Sequence, residues 1–369
     1  MCNCTCIRAG LSASPEVAQI RPDDNPKSLV TIEHEPMIGE TPQRAFDNWL
    51  TPNPLFYVRN HFDIPHIRCS HWKLSVDGVV SQDLQLTLDE LKDLTRVTLP
   101  ITMECAGNNR SDLDPPAPGN QFQNGAVSTA YWAGVPLKDV LAIAGIGDGA
   151  REVLFEGHDS GVPAPGESEM PYTRSLPIDV AMHPDTLLVY EMNGRALPEE
   201  HGHPIRLMVP GWYGMASVKW LRRISVLDFN YEGFFQTDRY IIEDETGKTV
   251  PLSSIGVKSV IGSPAEGDVI EMGGMCVNGT AWSGEDRIAA IDVSCDGGET
   301  WTRADVFGPS ERYAWQHWRY CWSPPAPGEY TLMSRAIDAR GNVQPMKTHW
   351  NRLGYMVNGV RPVQVSVRA

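Results

Sequence analysis

Past about residue 245 the chain breaks into short apolar runs separated by turn residues, and this texture limits its fold more than any other feature. The runs are Val269 to Met272, Met275 to Trp282, Ile288 to Cys295, Thr300 to Val306, Trp315 to Trp322, Tyr330 to Asp338 and Val363 to Val367. Asp296-Gly297-Gly298 stands between two of them, where a hairpin needs residues that accept positive φ. About seven strands in roughly 120 residues, with turn signals and no helical period, predict an immunoglobulin-like β-sandwich. The chain has 369 residues, too many for one such core, so a second domain must precede the sandwich.

The earlier part mixes periods. Pro54 to His61 reads as a strand with Arg59 and His61 on one face, and His71 to Val80, Arg96 to Met103, Arg151 to Glu156, Thr186 to Met192 and Ile205 to Val209 as others. Thr87 to Leu91 reads as a capped short helix, and Val135 to Gly145 as an amphipathic helix stopped by glycine. Residues 1–45 are polar and spotted with proline, an irregular arm. The expected class is α+β: a mixed α/β domain over 46–245, then the sandwich over 246–369.

A formal net charge of −15 argues against nucleic acid, whose phosphates reward a basic surface. An anionic ligand would need a local cationic pocket. No apolar run approaches the roughly 18 residues that span a bilayer, so no membrane partner is expected. The start lacks a basic stretch followed by an apolar core, which predicts a cytoplasmic protein, or a periplasmic one if a leader has been trimmed. The eight cysteines contain no C-x-x-C pair, against a zinc or disulfide framework, and Cys2-x-Cys4-x-Cys6 reads as a frayed tail.

Chemistry gathers around Thr102-Met103-Glu104-Cys105-Ala106-Gly107-Asn108-Asn109-Arg110. A strand delivers one Cys to a small, turn-prone segment with a guanidinium five residues on. A free Cys is ordinarily an inert core residue. Here, however, cationic or polar groups recur beside glycines at strand ends: Arg59 and His61, Asp159 after Gly157-His158, His201-Gly202-His203-Pro204, and Ser217 and Lys219 after Pro210-Gly211-Trp212. One thiolate with open positions suits a redox metal better than a structural zinc, and Arg suits oxyanions. Three readings stay open on these residues alone: a redox metal site handling an oxyanion, a Cys-His hydrolase or transferase, and a phosphate-binding module without catalysis.

Phe56-Tyr57-Val58-Arg59-Asn60-His61, Glu104 to Arg110, Leu188 to Gly194, and His201 to Arg206 through Val218-Lys219-Trp220 together resemble the sulfite oxidase family of molybdopterin enzymes, its bacterial haem-free type. Asp296 to Trp301 and Trp350-Asn351-Arg352 resemble its C-terminal dimerisation domain. The resemblance implies a molybdenum cofactor whose metal is bound by Cys105, with an anion pocket of Arg59, Arg110 and Arg352 and an active-site Tyr240. It places Tyr57, Asn60, His61, Asp159, His201, Arg206, Ser217 and Lys219 at cofactor-binding positions. It implies sulfite oxidation, a homodimer, no haem, and an external acceptor such as cytochrome c. The chain departs from the family's animal and plant members in three ways. Asn109 stands where they have Arg, so a positive charge beside the cysteine is missing. Phe122 stands for a usual Trp, and Arg352 lies one place early. The alternatives are a sulfane or thiosulfate dehydrogenase, a nitrate reductase-like enzyme, and a non-catalytic dimer that binds an anion.

Overall fold

The computed structural model describes residues 28–243 and 246–369. The Cys2-x-Cys4-x-Cys6 tail lies outside them. The first half is built from two five-stranded sheets. In one, Val97–Glu104 pairs with Val127–Pro136, which pairs with Leu187–Met192; Arg195–Ala196 and Arg206–Met208 both add to that last strand. In the other the order is Leu84–Leu86, Leu74–Gly78, Leu221–Leu227, Glu152–Gly161, Met170–Pro177. Helices are few and short. Leu137–Ala144 buries Leu137, Val140, Leu141 and Ala144, one helical face, and ends at Gly145 with φ of 72°. Leu88–Lys92 starts on a reciprocal capping box between Thr87 and Glu90.

Three sequence expectations change. Pro54 to His61 is not a regular strand: Asn53–Leu55 is a 3₁₀ turn, and the extended residues after it touch other strands through a Val58–Gly39 bridge. Pro52 and Pro54 have no N–H to give a ladder, and the N–H of Tyr57 goes to Ser128 Oγ at 3.1 Å. Within the expected irregular arm, Val30–Glu33 pairs with Ile38–Glu40. Glu40 Oε1 then accepts from Gly125 N at 3.0 Å and holds the hairpin to the first sheet. Finally, Val135 and Pro136 close the strand Val127–Pro136 rather than open the helix.

The second half is the expected sandwich. One sheet runs Lys258–Ser263, Met275–Trp282, Gln316–Trp322, Asp305–Phe307, and the other Val269–Glu271, Val363–Arg368, Gly328–Asp338, Ile288–Ser294, Thr302–Arg303. Alternate residues point inward, so that Val277, Ile291, Val293, Trp318 and Leu332 meet between the sheets. Gly297 and Gly298 take φ of 75° and 95° in the hairpin after Ile288–Ser294. The halves are joined through buried groups. Trp49 Nε1 donates to the Trp315 carbonyl at 3.2 Å, Trp315 Nε1 returns a bond to the Trp49 carbonyl at 2.8 Å, and Trp282, Trp315, Leu353 and Tyr355 belong to the core of the first half.

Candidate active site

Val97–Glu104 ends at the mouth of a cavity and hands the chain to Cys105, whose N–H is held by the Ala126 carbonyl at 2.8 Å. The turn closes through Asn108 N to the Cys105 carbonyl at 3.0 Å, and Asn109 takes the left-handed conformation with φ of 64° that Asn tolerates. Burial pushes the Cys105 thiol up, and the Arg59 guanidinium beside it pulls the other way. The cavity is lined by Cys105 and by Tyr57, Arg59, Asn60, His61, Asp159, His201, Arg206, Ser217, Lys219 and Tyr240. Eleven of the thirteen residues named from the sequence therefore share one cavity, and segments far apart in the chain supply them.

Its electrostatics are unusual for a protein interior. Lys219 donates to the Glu200 carbonyl at 3.0 Å and to Asn60 Oδ1; burial, with Arg206 nearby, holds its ammonium pKa well below the ordinary range. Arg206 gives its two terminal nitrogens to the carbonyls of His201 at 3.1 Å and Ser217 at 2.9 Å, and burial lowers it to about 10. Asp159 is pushed up to about 6 by burial, against the pull of Lys219. His201 is held down to about 3 by burial, and its Nε2 donates to the Asn53 carbonyl at 3.3 Å, which makes it a neutral donor. Three cations, Arg59, Arg206 and Lys219, thus stand against the carboxylates of Asp159 and Glu200. Two of their nitrogens, Arg59 Nη1 and Arg206 Nε, are buried without a hydrogen-bond partner. Such orphans cost roughly 1–3 kcal/mol each.

Those orphans are the test of whether a phosphate-bearing cofactor fits, and it does: an anionic group would meet both donors and the surplus positive charge. Gly214 leaves the room, since a Cβ there would lie 2.6 Å from Tyr57 Oη. Among the described residues no group of three or more His, Cys, Asp or Glu is placed to hold a metal ion. A metal at Cys105 would therefore take its other ligands from a bound group.

One wall is aromatic. The Tyr240 hydroxyl and His61 Nε2 are hydrogen-bonded at 2.8 Å, His61 stacks on Tyr172 at 4.8 Å between centroids, and Phe235 packs edge-on at 4.7 Å. A second cavity, the vestibule, shares Arg59, His61 and Tyr240 with the first and is lined also by Arg110 and Arg352. Arg110 is fixed: Nε donates to the Leu353 carbonyl at 3.2 Å, Nη1 to the Asn120 carbonyl at 2.8 Å, and the guanidinium sits 5.3 Å over the Tyr355 ring. It passes between Gly107, Gly119 and Gly354, at each of which a Cβ would lie 2.7–2.8 Å from a guanidinium atom. Arg352 is exposed on the rim. The expected grouping of Arg59, Arg110 and Arg352 with Tyr240 is met in this second cavity, where Arg110 is tied to backbone; of the three arginines Arg59 alone lines the inner cavity as well.

Sequence reasoning missed Tyr172, Arg239 and Tyr355. Tyr355 stacks on Tyr240 at 5.2 Å and lines the vestibule together with Arg239. Arg239 precedes the predicted tyrosine and Tyr355 follows the predicted Arg352 by three, which was the available signal. Asn109 Oδ1 accepts from Lys258 Nζ, from the sandwich, at 2.7 Å, but that ammonium is paired with Glu104 and lines neither cavity, so it does not replace the charge absent at Asn109.

Comparisons with known proteins agree with this layout. The oxidoreductase molybdopterin binding domain matches residues 61–235, and the Mo-co oxidoreductase dimerisation domain matches 250–368. Mitochondrial sulfite oxidase of Homo sapiens is 36% identical over 88% of this chain and 63% of its own length. Sulfite oxidase of Gallus gallus is also 36% identical, over 93% and 81%. The chain thus spans less than two thirds of the human relative. The sulfane dehydrogenase SoxCD from Paracoccus pantotrophus superposes with a TM-score of 0.78 at 29% identity, over 95% of this chain and 92% of that one. With both domain matches in order and this identity sustained along the chain, the protein belongs to the sulfite oxidase family of molybdopterin oxidoreductases.

Proposed function

We propose that the protein oxidises sulfite to sulfate at a molybdenum centre ligated by Cys105, with the pterin and its phosphate in the inner cavity. The observation that carries this is the pair of unpartnered buried guanidinium nitrogens, on Arg59 and Arg206, in a cavity with excess positive charge beside a buried thiol. When bound, the cofactor supplies oxygen-atom transfer with two electrons: SO₃²⁻ + H₂O gives SO₄²⁻, two protons and two electrons. The protein's own groups do the rest. Arg206 and Lys219, backed by Asp159, hold the anionic end of the cofactor, while Asn60, clamped between Lys219 and the Met37 carbonyl at 3.0 Å, fixes the approach of Arg59. Tyr57, His201 and Ser217 complete the lining, and burial keeps His61 neutral, so it neither repels nor neutralises an incoming dianion. Arg59 meets the substrate oxyanion and stabilises charge in place, as a preorganised donor should. The Tyr240 hydroxyl, which burial holds well above its ordinary pKa, stays protonated and can donate to substrate.

Arg239 and Arg352 in the vestibule offset the global negative charge for an entering anion. Electrons leave singly to an external carrier such as cytochrome c, and residues 250–368 pair two copies as a homodimer. The likeness to a sulfane dehydrogenase over 95% of the chain supports a second reading, with a sulfane-sulfur substrate.

Elemental analysis of protein from a cofactor-competent host, followed by turnover of sulfite and thiosulfate with cytochrome c and ferricyanide, tests both. Expected are about one molybdenum per chain and at least a tenfold preference for sulfite. Protein without molybdenum would remove the enzyme reading, and a preference for thiosulfate would exchange the first reading for the second.

A further inference from the structure

The loop that carries Cys105 is held from the other domain. Lys258, the first residue of the strand Lys258–Ser263, lines neither the inner cavity nor the vestibule. Its ammonium has three donors and three acceptors: Glu104 Oε1 at 2.9 Å, Asn109 Oδ1 at 2.7 Å and the Val357 carbonyl at 2.9 Å. The Lys258 and Glu104 side chains are each 3% exposed. Glu104 is also filled, taking Asn108 Nδ2 at 2.9 Å and, from the sandwich, Trp282 Nε1 at 2.8 Å. One ammonium therefore grips the residue before Cys105 and the residue four after it.

We propose that Lys258 is a positioning residue for Cys105: by joining Glu104 to Asn109 it sets the turn between them, and so where the sulfur sits relative to Arg59. This rests on the reading in which Cys105 ligates the metal. Stability alone accounts poorly for the arrangement, because a buried ion pair is often no more stabilising than an apolar pair of the same volume. What the pair provides is direction. Three acceptors from the Glu104 side chain, the Asn109 side chain and the Val357 backbone converge on one point, and a shift of the turn would leave at least one buried group unmet.

The test uses the full chain made with its cofactor. In Lys258→Met, molybdenum per chain or kcat should fall by about tenfold or more, as for partners that orient metal ligands, with KM nearly unchanged and the Mo(V) electron paramagnetic resonance signal altered. Glu104→Gln/Lys258→Met leaves no unpaired charge; it should recover the melting temperature while the altered Mo(V) signal persists. Wild-type metal content and signal in Lys258→Met would overturn the proposal. Recovery of stability and signal together in the double variant would do the same, since the pair would then be a stabilising contact only. If neither folds, Asn109→Gly, which removes one of the three Lys258 acceptors and no charge at a left-handed backbone position, should shift the signal in the same direction, and an unshifted signal overturns the proposal. A wild-type chain without molybdenum would instead sink the function proposed above. The positioning role is then read from alkylation of Cys105, expected to quicken about tenfold in Lys258→Met as the turn opens; an unchanged rate would refute it.

Discussion

Arg59 and Arg206 in the inner cavity each keep a buried nitrogen without a partner, whereas Arg110, a few residues from Cys105 in sequence, commits its guanidinium to two carbonyls and an aromatic ring. Arg206, too, gives two nitrogens to carbonyls and lies 5.3 Å over the Trp132 ring, but its Nε, like Arg59 Nη1, is left for a ligand. Burial alone would not separate them, for Arg110 is 6% exposed and Arg206 4%. What separates them is a single buried nitrogen, Arg206 Nε, that has no partner, whereas no buried nitrogen of Arg110 is left so.

This contrast can be broken in graded steps. Cys105→Ser should have the largest effect, with loss of bound molybdenum and a fall in sulfite-dependent acceptor reduction of more than about 100-fold, beyond what loss of an orienting partner gives; retained metal would free the inner cavity from its assigned role. Arg59→Gln should lower kcat/KM by on the order of 10²-fold, as for removal of one preorganised donor. A change no larger than that of Arg352→Gln would erase the distinction between the two spaces.

The third step concerns pH. Burial holds His317, in the sandwich, down to about 4 from a reference of 6.5. Its neutral form is the native one, so its contribution is whole above pH 6.5 and is lost as pH falls through about 4. At pH 5 that loss is about 2 kcal/mol relative to neutral pH. Denaturant titrations of wild type and His317→Leu at pH 7 and 5 should show the difference, and parallel curves would contradict it. Arg110→Gln should cost about 1–2 kcal/mol of stability by freeing buried carbonyls. Arg352→Gln, at an exposed position, should raise KM by only about threefold, an effect that salt removes.

Part of the inner cavity was legible in the sequence because residues there follow glycines or strand ends, where backbone chemistry forces the chain to turn and expose a side chain. Cys105, directly after Val97–Glu104, is of this kind, whereas Arg59 lies in an extended segment outside any strand and His201 stands before its glycine. The failures share a different cause. The strand Val127–Pro136 reads V-S-T-A-Y-W-A-G-V-P, with small and polar residues buried on both faces, so no alternation marks it. Tyr172 and Tyr355 gain their place from stacking across segments far apart in sequence. Lys258 likewise reaches Asn109 from 149 residues away, a contact that spacing around the cysteine does not show. One-dimensional spacing detects what a turn presents, and not what another domain brings.

The glycines around Arg110 extend that lesson to heredity. Gly107, Gly119 and Gly354 sit on three separate loops, yet each leaves space for the same guanidinium. A methyl at any one would push Arg110 from its carbonyls and off Tyr355. Once it has been displaced, a second methyl at another of the three has less left to disturb. Alanine changes there should be strongly sub-additive, unlike changes at independent sites. Three positions scattered over nearly 250 residues would then drift, or stay fixed, as though they were a single letter of the sequence.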